Sequence, residues 1–254
     1  MKYDIIETKE RVLADNEQAA ASLRSSMEEK HILFINLMAS PGAGKTTLLT
    51  RTIEALRDEY RIAVMEADVD SDVDAKTISS LGAKVIQLHS GGLCHMDADM
   101  TARGVEAMDL SGVDILFLEN IGNLVCPAEF DVGASKRVMI LSVPEGDDKP
   151  LKYPLMFQVS DVLLINKIDT LPIFDFSKEA LEKNVALRHE NMPIFYLSAK
   201  TGEGMEDWID WLRSQAAKVC RRTNQADGSA PKAGRPASVC DGSSSEAAQK
   251  GGQA

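Results

Sequence analysis

A chain of 254 residues with 44% hydrophobic content can bury one sizeable α/β core, and a second independent domain is not required. Its net charge of −11, interrupted by no basic stripe, argues against a nucleic-acid partner. The start Met1-Lys2-Tyr3-Asp4-Ile5-Ile6-Glu7 has no apolar core of a signal peptide, and no run approaches about 18 consecutive apolar residues. A cytoplasmic protein without a membrane partner is expected. Cysteines stand only at 94, 126, 220 and 240, too scattered for a disulfide framework, so free thiols or metal ligands are expected.

In chain order, Glu7 to Glu29 reads as an amphipathic helix, with Val12, Ala19, Ala20, Leu23 and Met27 at three- and four-residue steps. The apolar run His31 to Met38 predicts a buried strand, and Leu48 to Leu56 a helix. Between them lies Ala39-Ser40-Pro41-Gly42-Ala43-Gly44-Lys45-Thr46-Thr47, a Gly-rich loop in strand–loop–helix context. Such a loop turns backbone N–H groups and a helix N-terminus toward phosphates, with Lys45 as a point charge and the Thr46 hydroxyl on Mg²⁺. Pro41, Gly42, Ala43, Gly44 and Thr47 complete the cradle. Ala39 stands where the motif usually has its first glycine.

Further strands are predicted at Arg61 to Asp68, Lys84 to His89, Asp114 to Glu119, Arg137 to Val143, Asp161 to Asn166 and Pro193 to Leu197. Helices are predicted near Asp74 to Leu81, Asp97 to Met108, Ser177 to His189 and Glu203 to Val219. This alternation implies a P-loop NTPase: an α/β fold with a mostly parallel central sheet, helices on both faces, and ligands at the C-terminal ends of the strands. From Thr223 the chain turns to Gly, Ser, Ala, Pro, Gln and Lys, a composition that predicts disorder. The expected organisation is a helical extension over 1–29, a nucleotide-binding domain with an embedded metal site over 30–220, and a disordered tail over 221–254.

Three constellations say what the loop would hold. Asn166-Lys167-Ile168-Asp169 follows the buried strand Val162 to Ile165 and resembles the NKxD element of GTP-binding proteins. The Asp169 carboxylate can accept from the N1–H and exocyclic amine of guanine, which adenine does not present, while the Lys167 stem lies along the base. Ser198-Ala199-Lys200, one strand later, resembles the SAK element that closes a guanine pocket through backbone N–H groups. Glu119 ends a strand in Glu119-Asn120-Ile121-Gly122, an ExxG variant of the commoner DxxG, and Asp68 ends another, followed by Asp70, Asp72 and Asp74. Asp68, Asp74 and Glu119 are candidates for holding Mg²⁺ and orienting water, and Asp72 for a solvated loop. Lys45, Asp68 and Glu119 form the candidate catalytic set. Lastly, Gly91-Gly92-Leu93-Cys94-His95 and Asn123-Leu124-Val125-Cys126-Pro127 put two thiols and an imidazole near strand ends, donors suited to Ni²⁺ or Zn²⁺. A tetrahedral site built from them is one ligand short, and water or a second subunit could supply it.

With Glu145-Gly146-Asp147-Asp148-Lys149-Pro150-Leu151-Lys152-Tyr153-Pro154 and Ser198-Ala199-x-x-Gly202-Glu203-Gly204 added, these motifs closely resemble the HypB family of hydrogenase-maturation GTPases, relatives of UreG, over residues 30–215. The resemblance implies a SIMIBI-class GTPase that dimerises with nucleotide and delivers nickel to the large subunit of [NiFe]-hydrogenase, with a HypA-type chaperone as partner. By it, Cys94, His95 and Cys126 match the metal site of the domain, and Lys45, Thr46, Asp68, Asp74 and Glu119 the phosphate and Mg²⁺ positions. The Cys-rich and His-rich stretches that some members carry near the N-terminus do not occur in these residues, so nickel storage is not expected. The alternatives are a related GTPase serving urease or a cobalamin-dependent mutase, and a GTP-binding module with a structural zinc.

Overall fold

The computed structural model describes residues 8–68 and 73–226; Asp70, Asp72 and the expected tail beyond 226 lie outside the described residues, as does the side chain of Asp74. The elements are α1 (Thr8–Glu29), β1 (Leu33–Ala39), α2 (Lys45–Leu56), β2 (Ile62–Asp68), α3 (Val73–Ser79), β3 (Lys84–His89), α4 (Ala98–Ala107) and β4 (Ile115–Glu119). They continue with α5 (Cys126–Glu129), β5 (Lys136–Ser142), α6 (Lys149–Lys152), α7 (Pro154–Val159), β6 (Val162–Asn166), α8 (Lys178–Ala186), β7 (Ile194–Tyr196) and α9 (Met205–Ala226). Seven strands pair in the order β3-β2-β4-β1-β5-β6-β7, every pair parallel.

Continuous apolar strands follow from burial on both sides of the sheet. Leu33, Ile35 and Leu37 of β1 face a core closed by α2, α3 and α9, where Leu49, Ile53, Trp208 and Leu212 are buried. Phe34 and Met38 face the other side, under Leu23 and Met27 of α1, Met156 and Phe157 of α7, and Leu181 of α8. Trp208 is buried with its one donor satisfied, Nε1 donating to Thr52 Oγ1 at 2.9 Å. From β1 the chain passes through α2 to β2 on one side, while β5 lies on the other. That reversal opens a crevice at the C-terminal end of β1, between β4 and β5, where ligands bind open α/β sheets.

α1 lies across the second face. Gly133, at φ +78°, lets the helix approach so closely that a Cβ there would sit 2.9 Å from the Ala20 carbonyl. Asn16 Nδ2 donates to the Asp131 carbonyl at 3.0 Å, and Arg24 pairs with the Asp131 carboxylate at 2.5 Å. Burial pushes the Asp131 carboxyl up, but Arg137, the Gly133 N–H and Arg24 outweigh it and hold the group below the usual carboxylate range. Val12, expected on the buried face, is exposed; the packed stripe runs through Ala20, Leu23 and Met27 instead.

Two other boundaries differ from expectation. α9 runs to Ala226, past Thr223, where the composition changes. The four-residue helices α5 and α6 and the six-residue α7 carry a proline at their first or second position and are too short to show a helical period. Among the described residues no helix is long and apolar enough to cross a membrane.

Candidate functional site

β1 delivers the Gly-rich loop to the crevice. Gly44 caps α2 at φ +99°, in the left-handed region, and a Cβ there would meet Asn166 Nδ2 at 2.5 Å, so only glycine fits. Its cap lets the helix begin at Lys45, three residues before the apolar period becomes visible. Ala39, by contrast, is not among the positive-φ residues and needs no glycine. A cavity of about 580 Å³ opens over the loop, lined by Gly44, Lys45 and Thr46 on one side and Glu66, Asp68 and Glu119 on the other.

The Thr46 hydroxyl donates to Glu119 Oε1 at 2.8 Å, across from α2 to the end of β4. Glu119 is buried, and so is Glu66, its register partner on β2. Two buried carboxylates beside a hydroxyl are hard oxygen donors of the kind that suits Mg²⁺. Glu66 is legible as part of a Glu66-x-Asp68 pattern, but its role is not, because its partnership with Glu119 is a register between strands far apart in sequence. One signal was available: it is a carboxylate within the otherwise apolar Ile62 to Ala67. Asp68 lines the same cavity; α3 starts at Val73, so the backbone of Asp74 lies in its first turn.

A second cavity, of about 350 Å³, adjoins the first and is lined by Asn166, Asp169, Ala199 and Lys200, with Gly44, Thr47 and Lys167 shared between the two. Asn166 binds its parts together. Its Nδ2 donates to the Ala43 carbonyl at 2.9 Å, and its Oδ1 accepts from the N–H groups of Lys167 at 2.8 Å and Ala199 at 3.0 Å. The Ala199 N–H is thus given to Asn166, which ties the Ser198-Ala199-Lys200 segment to the end of β6. Lys167, at φ +63°, reaches back to donate Nζ to the Gly42 carbonyl at 2.6 Å, so its stem forms the wall between the cavities. Ser198 Oγ donates to Asp169 Oδ1 at 2.7 Å and fixes that carboxylate at the pocket edge.

The third constellation also comes together. Cys94 Sγ lies 2.8 Å from Cys126 Sγ and 3.8 Å from His95 Nδ1, and one donor atom from each of the three residues lies within 4.8 Å of the others. His95 stacks on Phe130, ring centres 3.9 Å apart. Burial lowers the His95 pKa against the pull of Asp97 and Glu129, which favours the neutral imidazole, the form able to bind a metal. The bond to Cys94, with burial, pushes the Cys126 thiol up. An ion bound there would have to displace that proton, so uptake should strengthen as pH rises.

An all-parallel sheet with a glycine-capped phosphate loop at the end of its central strand is a P-loop nucleotide-binding protein. The family model described as "CobW/HypB/UreG, nucleotide-binding domain" matches residues 33–195. The hydrogenase maturation factor HypB of Azotobacter chroococcum mcd 1 is 43% identical over 211 residues, spanning 83% of this chain and 69% of its own length. That of Escherichia coli (strain K12) is 44% identical over 207 residues, spanning 80% and 70%. The crystal structure of HypB from Helicobacter pylori in complex with nickel is similar with a TM-score of 0.76 and 32% identity, over 80% of this chain and 96% of that one. HypB from Archaeoglobus fulgidus gives 0.75 and 36%, over 80% and 99%. The chain belongs to the CobW/HypB/UreG family, among the HypB hydrogenase maturation factors.

Proposed function

We propose that the protein is a cytoplasmic GTP-hydrolysing nickel metallochaperone for [NiFe]-hydrogenase maturation, coupling GTP binding, hydrolysis and dimerisation to nickel transfer. A HypA-type chaperone and the hydrogenase large subunit are its partners. The observation that carries the reading is adjacency: the loop that leaves Glu119 at the phosphate cavity leads directly into α5, whose first residue is the thiol of Cys126. The nickel complex of the Helicobacter pylori relative supports nickel as the cargo, with Zn²⁺ as the competing ion for the same soft donors. Cys94, His95 and Cys126 supply three ligands, and water or the second subunit a fourth.

In this reading Asp169 selects guanine, Asn166, Lys167, Ser198, Ala199 and Lys200 shape its pocket, and the loop from Pro41 to Thr47 cradles the phosphates. Thr46 and Glu119, with Asp68 and Asp74, hold Mg²⁺, which supplies neutralisation of phosphate charge. Lys45 adds a fixed positive charge there, and Asp68 or Glu119 orients the attacking water. A relative in Helicobacter hepaticus, 37% identical over 212 residues, is a hydrogenase/urease maturation factor, which keeps urease open as a second client.

Turnover of GTP and ATP by the purified protein tests the reading. GTP should be hydrolysed slowly and ATP not at all, and Lys45→Ala should lose tight nucleotide binding. Wild-type binding or turnover in Lys45→Ala would contradict the assignment of the loop.

A further inference from the structure

Between the phosphate cavity and the thiol–imidazole cluster stands Asn123, in the loop after β4. Its backbone N–H donates to the carbonyl of Ala39, where β1 runs into the phosphate loop, at 2.9 Å. Its side-chain Nδ2 donates to the carbonyl of Cys94 at 3.3 Å. Its Oδ1 accepts from the N–H of Val125 at 2.8 Å, the residue that caps α5 just ahead of Cys126. A carbonyl needs a donor and an N–H needs an acceptor, so one orientation of the amide satisfies both partners. Gly122, just before, lies flat on the phosphate loop: a Cβ there would sit 3.0 Å from the Pro41 nitrogen and ring.

We propose that Asn123 is a positioning residue that holds the Cys94 loop and the Cys126 helix to the phosphate loop, and so carries the effect of nucleotide on metal affinity. This rests on the nickel-transfer reading above. Cys126 follows Glu119 along one stretch of chain, but Cys94 sits on the separate loop between β3 and α4. Stacking of His95 on Phe130 joins the two segments to each other, and the Asn123 amide, bonded at each end, joins both to the phosphate loop. A nucleotide that orders the phosphate loop fixes Ala39 and Pro41, and with them the backbone of Asn123. Its side chain passes that order to both thiols, which is a contiguous physical connection of the kind that coupling between two sites requires.

The test measures Ni²⁺ dissociation constants, by chelator competition and thiolate-to-metal absorption, in the GDP and GTP-analogue forms of wild type, Asn123→Ala and Asn123→Asp. Asp keeps the acceptor for Val125 and loses the donor to Cys94, so it stays informative if the Ala variant folds poorly. Both variants should bind GTP within about threefold of wild type. The ratio of nickel affinities between the two nucleotide forms should collapse from the roughly 5- to 150-fold of a typical coupling to within about twofold. A merely structural Asn123 would weaken nickel equally in both forms and leave the ratio intact, and that result overturns the proposal. A wild type with no difference between nucleotide forms overturns both this inference and the transfer reading, whereas a wild-type difference that survives in the variants overturns this inference alone.

Discussion

Asp169→Ala should abolish the preference for GTP over ATP. Asp169 lies at the edge of the second cavity with one oxygen fixed by the Ser198 hydroxyl at 2.7 Å, so its carboxylate does not need to be ordered when the base arrives. Guanine offers two donors to it, and adenine offers none in that position. A site that hydrogen-bonds its ligand through buried polar groups rejects an analogue lacking them by about 10⁴ to 10⁵, because the acceptor is otherwise desolvated without a partner. Removing the carboxylate leaves stacking along the Lys167 stem and the phosphate contacts, which both bases share. Competition binding of GDP and ADP should therefore show discrimination falling to within about tenfold, mostly through weaker GDP binding. A variant that still selects guanine at the wild-type ratio would mean another group reads the base.

The second large effect belongs to Glu119. It is buried at the end of β4, accepts from the Thr46 hydroxyl at 2.8 Å and sits in register with the buried Glu66. In the proposed mechanism it acts where charge develops, so Glu119→Ala should lower turnover by about 10²- to 10³-fold, the scale of removing one electrostatic contact from a transition state. GDP affinity should stay within a few-fold, since Lys45 and the backbone of the loop are untouched. Single-turnover hydrolysis against GDP binding separates these effects. Glu66→Gln keeps the shape of its neighbour and reports how much of the loss is general charge in the cavity. Equal losses in GDP binding and turnover for Glu119→Ala would assign it to nucleotide binding alone.

Much of this arrangement could be read from the chain because its signals are local. The run Leu33 to Ala39 is apolar but for Asn36 since both faces of β1 are covered, and Asn166 to Asp169 begin at the end of β6, a strand buried along its whole length. Cys94, His95 and Cys126 were legible as soft donors near strand ends, and the structure brings them within one ligand sphere. What stayed hidden depends on pairing between distant segments. Glu66 gains its place from the β2–β4 register, and Ser40 gains a carboxylate partner in Glu145, 105 residues away. Asn123 looks like an ordinary loop residue until the Cys94 loop is laid beside it. Val12 failed for a different reason. A helical period leaves the exact face open by one position: the packed side of α1 runs through Leu13, Asn16, Ala20, Leu23 and Met27, and Val12 falls beside it.

The central claim is that nucleotide state sets metal affinity at the Cys94–His95–Cys126 cluster, and a nickel titration in two nucleotide states tests it most directly. Ni²⁺ dissociation constants would be measured for the GDP and GTP-analogue forms at one protein concentration where the dimer forms, with Cys94→Ala and Cys126→Ala as controls. A coupling of about 1 to 3 kcal/mol predicts a difference of roughly 5- to 150-fold between the two forms, removed in either cysteine variant while GTP binding persists. Linkage then requires nickel to change GTP-analogue affinity, relative to GDP, by the same factor. Equal nickel affinities in both forms of the wild type would contradict the account and leave a nucleotide-binding protein with a merely structural metal.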